Sequence, residues 1–379
     1  MNDKINEIIN NNSWEFSTLL FYIIILSMSF LLSTYRSNKS IIVNIRDKKA
    51  TIIDDINSLF IFLLLFCVSA FRGIGEDLNV YKEIFNSVTS QSNIEYYGIE
   101  QGFVIINKVI RIFTESDKIA IAVLSFITIY LFINTINYYK DKLVYSLAIL
   151  AYVCMFYFQS FSLVRIYLVS GIILYSFRLL ENNKLLSYFF VVSGCFFIHA
   201  SALTLLLPLL FLKIYQIKPK YFYITYIGFF IAVYAIANQL QILNFSARYS
   251  DYFANNETTP IGILQLIYYA PLFYLLYKAK ESDYDEHLFS IFLIFTLSSF
   301  MFSILSYKLT VMGRLSIYYT YPFLLFVPMF INYGKEKGIL FSNYWVGLYV
   351  LYLIFRFSMY FLEYAYTDGI MPYKSILWE

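Results

Sequence analysis

A polar stretch interrupts one of the most apolar parts of the chain. It reads FRGIGEDLNV and follows the run INSLFIFLLLFCVSA. Arg72 supplies a cation, and Glu76 and Asp77 supply carboxylates within a few residues. Gly73 and Gly75 let the backbone leave a helix and pass close to a ligand. This set of residue types predicts an anion-binding site with a base beside it, as a substrate that carries phosphate would need.

Arginine recurs at three other places beside apolar runs. These are Arg165 in SLVRIYL, Arg248 in NFSARYS and Arg314 in VMGRLSI. A guanidinium makes two parallel hydrogen bonds to phosphate and keeps its charge when it is buried, whereas a lysine does not. Singly, each arginine also fits an interfacial residue whose charged end reaches water. Together with Arg72, the three favour a shared phosphate ligand.

The two histidines of the chain lie in different surroundings. His199 lies in the apolar stretch GCFFIHASALTLLLP, where it fits a structural residue or a group that exchanges protons near neutral pH. His287 follows the pattern Asp283 to Asp285, which is more typical of a solvated acidic loop than of a metal site. We therefore predict no metal site, and the candidate bases are His199, Asp77 and Glu100.

The composition sets the solvent in which these groups work. The 379 residues are 60% hydrophobic and 14% charged, with a mean hydropathy of +0.63, which is too apolar for a water-soluble domain. Apolar windows long enough to cross a bilayer as helices recur along the chain. We predict an all-α, polytopic membrane helical bundle that forms a single transmembrane domain over residues 1–379, with no nucleic-acid partner. The Rossmann, P-loop, H-E-x-x-H and G-x-S-x-G signatures are missing from the sequence.

The apolar runs predict about twelve transmembrane helices. They are centred near Ile25, Leu64, Ile127, Leu150, Ile172, Val192, Leu206, Phe229, Phe273, Phe295, Leu324 and Leu351. The short segment Gly102–Phe113 carries two basic residues and predicts an amphipathic periplasmic helix. More than half of the 28 basic residues lie in six short loops, which the positive-inside rule assigns to the cytoplasm. The long loops 72–118 and 239–260 then share the outer face with the four arginines.

Five motifs follow one another in order along the chain. FRGIGEDLNVY is followed by E-x-G-F at Glu100 to Phe103, then by LVRIYL, FFIHASAL and GRLSIYY. In order and spacing, the motifs resemble the EpsG-type branch of the Wzy-like polysaccharide polymerases. The resemblance covers roughly residues 59 to 330.

The resemblance implies a function and a set of site residues. It implies a metal-independent membrane glycosyltransferase, without a cofactor, in the bacterial inner membrane. Such an enzyme polymerises O-antigen or exopolysaccharide repeat units carried on undecaprenyl pyrophosphate, and its active site faces the periplasm. The implied partners are lipid-linked donor and acceptor glycans, the lipid bilayer and a chain-length regulator. The matching positions are Arg72, Gly73, Gly75, Asp77, Tyr81, Arg165, His199 and Arg314. The predicted catalytic residues among them are Arg72, Asp77, Arg165, His199 and Arg314. The predicted substrate-binding residues are Gly73, Gly75, Glu76, Tyr81 and Glu100, and from charge and sidedness we add Arg248.

Two other functions fit parts of this pattern. A membrane O-acyltransferase of surface glycans would also need a histidine in a membrane cavity, but it would consume an acyl donor and leave chain length unchanged. A flippase for the lipid-linked unit would line a path through the bilayer with cations. The non-cytoplasmic arginines lie at one predicted depth, which favours the polymerase.

Overall fold

The computed structural model describes most of the chain. The described residues are 13–35, 41–45, 48–53, 56–88, 99–243, 263–307, 310–338 and 342–376. Arg248 lies outside them, as do most of the predicted loop 239–260 and residues 89–98 of the loop 72–118. The fold is helical, as predicted, and a short antiparallel hairpin pairs β1 (Ile41–Ile45) with β2 (Lys48–Ile53).

The helices account for most of the described residues. In chain order they are α1 (Ser13–Thr34), α2 (Ile56–Ala70), α3 (Leu78–Ser87), α4 (Gln101–Phe113), α5 (Asp117–Tyr138), α6 (Tyr145–Tyr152), α7 (Val164–Tyr175), α8 (Phe177–Glu181), α9 (Leu185–Phe196), α10 (Leu207–Ile217), α11 (Pro219–Leu243), α12 (Ile263–Glu281), α13 (Glu286–Leu305), α14 (Thr310–Ser316), α15 (Tyr321–Leu324), α16 (Phe326–Glu336) and α17 (Ser342–Glu363). Wider or tighter helical turns occupy Val153–Tyr157, Phe158–Phe161, Ala200–Leu206 and Ile317–Tyr319.

Seven helical segments within the described residues are long and apolar enough to cross a membrane. They are Phe16–Thr34, Asp117–Tyr138, Ala200–Ile217, Pro219–Ile236, Glu286–Leu305, Met312–Glu336 and Asn343–Glu363. The predicted count of about twelve is not confirmed. Ile56–Ala70, for example, has 15 residues and is about 22 Å long at about 1.5 Å per residue, which is less than the roughly 30 Å of a hydrocarbon core.

The chain divides into two compact units. The first comprises Met1–Tyr175, Phe197–His199 and Ile331–Glu379, and the second comprises Ser176–Phe196 and Ala200–Phe330. The single transmembrane domain predicted from the sequence stays a prediction.

In the first unit, α5 packs against both α2 and α7. Its buried face carries small polar side chains, and the Thr128 hydroxyl donates to the Leu124 carbonyl at 2.9 Å. Small hydroxyl residues that bond their own helix satisfy their polar atoms and allow close packing in an apolar bundle. This packing places α5 beside the polar stretch that follows α2.

Helix α4 has two different apolar faces. Phe103, Val104 and Ile110 are buried, whereas Val109 and Ile112 are 49% and 77% exposed. The helix covers the segment for which an amphipathic helix is predicted. Its position at the periplasmic membrane surface stays a prediction.

In the second unit, the acidic loop before α13 starts that helix. The Asp285 carboxylate accepts a hydrogen bond from the Leu288 amide at 2.7 Å, which is a helix N-cap contact. His287 Nε2 lies 2.8 Å from the Leu180 carbonyl oxygen. The Asp285 contact is local, and the His287 contact joins α13 to α8.

Candidate functional site

The polar stretch after α2 forms a loop, residues 72–77, that leads into α3. Gly75 has a φ of +128°, and a Cβ atom at this position would lie 2.5 Å from the Phe161 carbonyl oxygen. Only glycine fits there without strain, because the backbone is in a left-handed conformation and another backbone passes beside it. At Gly75 the backbone therefore passes close to Phe161 of the protein itself, and the approach of Gly73 and Gly75 to a ligand stays a prediction.

Arg72 lies behind this loop and is 2% exposed. Its Nη1 donates to the Ser69 carbonyl, to Ser69 Oγ at 2.8 Å and to Ser125 Oγ at 2.7 Å. The guanidinium also stacks on the Phe161 ring, with Cζ 5.0 Å from the ring centroid. Burial lowers the pKa of Arg72 to about 10, so the residue keeps its positive charge at neutral pH.

The 72–77 loop is paired with a second stretch of backbone, residues 368–376. Gly73 N donates to the Lys374 carbonyl at 2.8 Å, and Ile376 N donates to the Phe71 carbonyl at 2.9 Å. Between them, Arg72 and Ser375 form an antiparallel bridge. The loop is thus held by strand-like pairing with a segment about 300 residues further along the chain.

Glu100, Arg165 and His199 come together in the first unit. Arg165 Nη1 lies 2.6 Å from Glu100 Oε2, and His199 Nδ1 lies 3.3 Å from Glu100 Oε1. The three side chains are 16%, 14% and 20% exposed for Arg165, Glu100 and His199, respectively, so they are largely shielded but reachable. The Glu100 carboxylate therefore contacts a permanent cation and an imidazole at the same time.

The local fold fixes Glu100 and His199 relative to each other. Glu100 is the residue before α4, in extended conformation. Gly102 N donates to the Phe197 carbonyl at 2.7 Å, and a Cβ on Gly102 would lie 2.5 Å from that same oxygen. The start of α4 therefore rests directly on the turn that carries His199, and glycine is required at the point of contact.

Tyr81 lies beside Arg165, and Asp77 lies near Tyr81. Tyr81 is 5% exposed. Burial raises the pKa of its hydroxyl, and the nearby positive charge of Arg165 acts against this increase. The Tyr81 ring packs edge-on against Phe103, and the Arg165 guanidinium lies over the same Phe103 ring at 5.6 Å. Asp77, half-buried, is the last residue before α3.

The arrangement can carry out acid–base chemistry on a bound anion. A carboxylate that accepts the Nδ1 proton of an imidazole leaves Nε2 free to take a proton from a hydroxyl group. Arg165 Nε is buried and has no hydrogen-bond partner among the described residues, whereas Nη1 already holds an anionic oxygen.

Comparison with known proteins identifies the chain. Residues 56–375 match the EpsG family over most of the chain. The chain belongs to the EpsG family. Membership indicates a membrane polysaccharide polymerase. No curated protein and no solved structure is significantly similar to it.

The EpsG match ends at residue 375 and so includes the 368–376 segment almost completely. The motifs in the sequence reach only to about residue 330, and they missed this segment. Its signals are weak, because backbone pairing leaves no pattern of side chains. The Asp368-Gly369 turn pair is the one feature that could have marked it.

Of the remaining predicted residues of this EpsG-family chain, the structure describes Glu76 and Arg314 but not Arg248. Glu76 is exposed on the 72–77 loop. Arg314 is exposed in α14 of the second unit. Arg248 is not among the described residues. The substrate-binding roles of these residues and the catalytic role of Arg314 stay predictions.

No group of three or more His, Cys, Asp or Glu side chains within the described parts of the chain is arranged to hold a metal ion. Whether the reaction of this family member needs a metal is a separate question, and metal independence stays a prediction.

Proposed function

We propose that this EpsG-family chain polymerises glycan repeat units carried on undecaprenyl pyrophosphate at the periplasmic face of the bacterial inner membrane. The observation that supports the proposal is the Glu100 carboxylate shared between Arg165 and His199. In this arrangement an anion-binding cation and an oriented imidazole contact the same carboxylate. Glycosyl transfer from a lipid pyrophosphate uses both kinds of group.

Arg165 is assigned to the pyrophosphate of the donor. Its Nη1 already holds an anionic oxygen at 2.6 Å, and a phosphate oxygen presents the same kind of acceptor. The donor would therefore replace Glu100 at the guanidinium. In the transition state, Arg165 would neutralise the charge that develops on the departing pyrophosphate, which is usually the largest electrostatic contribution in such reactions. Arg72, which is buried, is proposed to stabilise the same leaving group through its charge and without direct contact, and the catalytic role of Arg314 stays a prediction.

His199 is assigned to the acceptor. Its Nε2 takes the proton of an acceptor hydroxyl as that oxygen forms a bond to the anomeric carbon of the donor sugar. The bond from that carbon to the pyrophosphate oxygen breaks, and the oxygen keeps the electron pair. Glu100, released from Arg165 by the donor, then stabilises the imidazolium through Nδ1. Asp77 remains the alternative base.

Both substrates are lipids, so they reach the site from the bilayer. Helix α4 begins directly after Glu100 and carries exposed apolar side chains, Ile105 and Ile112 among them. They would keep this helix at the membrane surface, where a prenyl chain lies in the bilayer and its pyrophosphate reaches the headgroup level. A chain-length regulator is proposed as an additional partner.

The test is to delete the gene in its host and separate the surface glycan by size on a gel. A ladder that collapses to one capped repeat unit supports the polymerase. A missing glycan with the lipid-linked unit retained inside the cell indicates a flippase, and an unchanged ladder with loss of acyl groups indicates an O-acyltransferase. The wild-type gene should restore the ladder, and a gene that encodes His199→Gln should not, although the protein reaches the membrane in equal amount.

A further inference from the structure

The pairing between the 72–77 loop and the 368–376 segment involves both ends of that segment. Beyond the bridge of Arg72 and Ser375, Gly75 N donates to the Gly369 carbonyl at 3.0 Å and Glu76 N donates to the Asp368 carbonyl at 2.9 Å. Four backbone amides of the two stretches are satisfied in this way. The loop has few other backbone partners, so its conformation depends on the segment.

Two glycines meet where the stretches cross. Gly369 has a φ of +63°, and a Cβ added to it would lie 2.9 Å from Glu76 N and 3.2 Å from the Gly75 carbonyl carbon. Gly75 is in turn pressed against Phe161, as described above. The loop is therefore clamped between two backbones, and a side chain on Gly369 would push it.

The 368–376 segment is itself anchored to helices of the first unit. The Tyr360 hydroxyl on α17 donates to Asp368 Oδ2 at 2.7 Å. Tyr22 OH donates to the Ile370 carbonyl at 2.7 Å, and Tyr373 OH donates to the Val68 carbonyl at 2.9 Å. These contacts link the segment to α1, α2 and α17, so the segment has a fixed position of its own.

We propose that the 368–376 segment is a positioning element of the active site, and that Asp368 and Gly369 set the 72–77 loop in its working geometry. The proposal rests on the proposed function. Few residues separate the loop from the Glu100–Arg165–His199 cluster. Asp77 ends the loop at the start of α3, and Tyr81, one turn further, lies beside Arg165. A displaced loop would move Asp77 and Tyr81 relative to the Glu100–Arg165–His199 cluster, while Arg165 itself stays on α7.

The first experiment compares Gly369→Ala with Gly338→Ala. Gly338 has nearly the same φ, +66°, but a Cβ there would meet nothing within 4 Å. Both substitutions strain the backbone equally, and only the first pushes on the loop. For Gly369→Ala we expect the maximal rate of chain extension to fall between about tenfold and about 10²-fold. We expect binding of farnesyl pyrophosphate, used as the lipid-pyrophosphate probe, to stay within about twofold of wild type, because Arg165 does not move. Gly338→Ala should extend chains at the wild-type rate.

Equal extension rates in the two alanine variants would overturn the proposal. If Gly369→Ala lowers the amount of folded protein, Tyr360→Phe provides the second test, since it removes only the hydroxyl that anchors Asp368. It should lower the maximal rate severalfold with unchanged probe binding. A wild-type rate in Tyr360→Phe would also count against the proposal.

The second experiment tests the pairing without relying on activity. Ile376 N donates to the Phe71 carbonyl beside the Arg72–Ser375 bridge. Facing residues of antiparallel strands have Cα atoms about 4.5–5.5 Å apart, within the range for a disulfide. Phe71→Cys/Ile376→Cys, in full-length protein with the three native cysteines replaced, should cross-link on mild oxidation, and Phe71→Cys/Tyr366→Cys should not. The cross-linked protein should keep its extension rate. Failure to cross-link overturns the pairing, and cross-linking that stops extension overturns a fixed positioning role. Because cross-linking is read on a gel, it tests the pairing even if the chain proves not to be a polymerase.

Discussion

Replacing Glu100 by Gln should change donor binding and turnover in opposite directions. In the free protein, Glu100 Oε2 holds Arg165 Nη1 at 2.6 Å, and a donor pyrophosphate must displace it. A hydrogen bond to a charged partner contributes about 1.5–3 kcal/mol, whereas one between neutral groups contributes about 0.5–1.5 kcal/mol. Glutamine keeps an acceptor oxygen but loses the charge, so the competition weakens by about 1–1.5 kcal/mol. Binding of a lipid pyrophosphate should therefore tighten about five- to tenfold.

Turnover in the same variant should fall. Glutamine cannot stabilise a positively charged His199 as a carboxylate does, and the imidazole loses part of its strength as a base. General-base catalysis contributes about 10² to 10⁴ in rate, and we expect a loss of about 10²-fold in the maximal rate of chain extension. Replacing a residue that simply binds the substrate would weaken binding and slow turnover together. Tighter binding with slower turnover is therefore specific to a carboxylate that competes with the donor.

The assay is a titration of purified protein in lipid nanodiscs with farnesyl pyrophosphate, followed by chain extension with lipid-linked repeat units. Glu115→Gln is the control, because it removes one carboxylate from the exposed surface shortly after α4 and changes the net charge equally. It should leave both quantities unchanged. Weaker pyrophosphate binding by Glu100→Gln than by wild type would refute the competition between Glu100 and the donor.

Three further outcomes are expected. Gly102→Ala places a Cβ 2.5 Å from the Phe197 carbonyl oxygen and should separate Glu100 from His199, so the rate of chain extension should fall at least tenfold. Gly194→Ala is the control and should be tolerated, because nothing lies within 4 Å of its Cβ. His199→Gln should lower extension by about 10²-fold or more with donor binding retained; normal extension would exclude the histidine as the base and leave Asp77→Asn as the next variant to measure. Cysteines placed at Ser92 and Asn256 should react with an impermeant thiol reagent in spheroplasts, and one at Asn183 should not; labelling of Asn183 alone would reverse the proposed sidedness.

The residues of the candidate cluster were predictable from the sequence, but their contacts were not. Arg165, Glu100 and His199 each have a type and a setting that indicate chemistry, because charged or titratable groups beside apolar runs are costly unless they have a role. The sequence does not say that one carboxylate joins the other two, since that depends on how α4 rests on the turn at Phe197. The role of Gly102 in this contact is visible only in three dimensions.

The helix count shows a different limit of the sequence. Apolar runs near Leu64 and Leu150 are continuous in composition, yet α2 stops at Ala70, and α6 gives way to a wider helical turn at Val153 and a tighter one at Phe158. Hydropathy measures how apolar a segment is and not where its hydrogen-bond pattern changes. The 368–376 segment was missed for a related reason, because its pairing uses backbone atoms that every residue has.

Arg72 and Arg165 carry the same charge but in different surroundings, and their lysine variants should differ accordingly. Burial lowers the pKa of Arg72 to about 10. A lysine starts from a pKa of about 10.4, and an equal depression would bring it to about 8. In Arg72→Lys the folded protein would then bind fewer protons than the unfolded chain between about pH 8 and pH 10. Stability rises with pH wherever the unfolded state binds more protons, so the melting temperature of Arg72→Lys should rise relative to that of wild type as the pH is raised from 7 to 9. Arg165→Lys keeps the Glu100 carboxylate as a partner and a more exposed side chain, so its melting temperature should follow that of wild type across this range. Its binding of lipid pyrophosphate should fall, because the planar fork is lost. Parallel melting curves of the two variants against pH would mean that the charge of Arg72 is not held in the buried surroundings seen here.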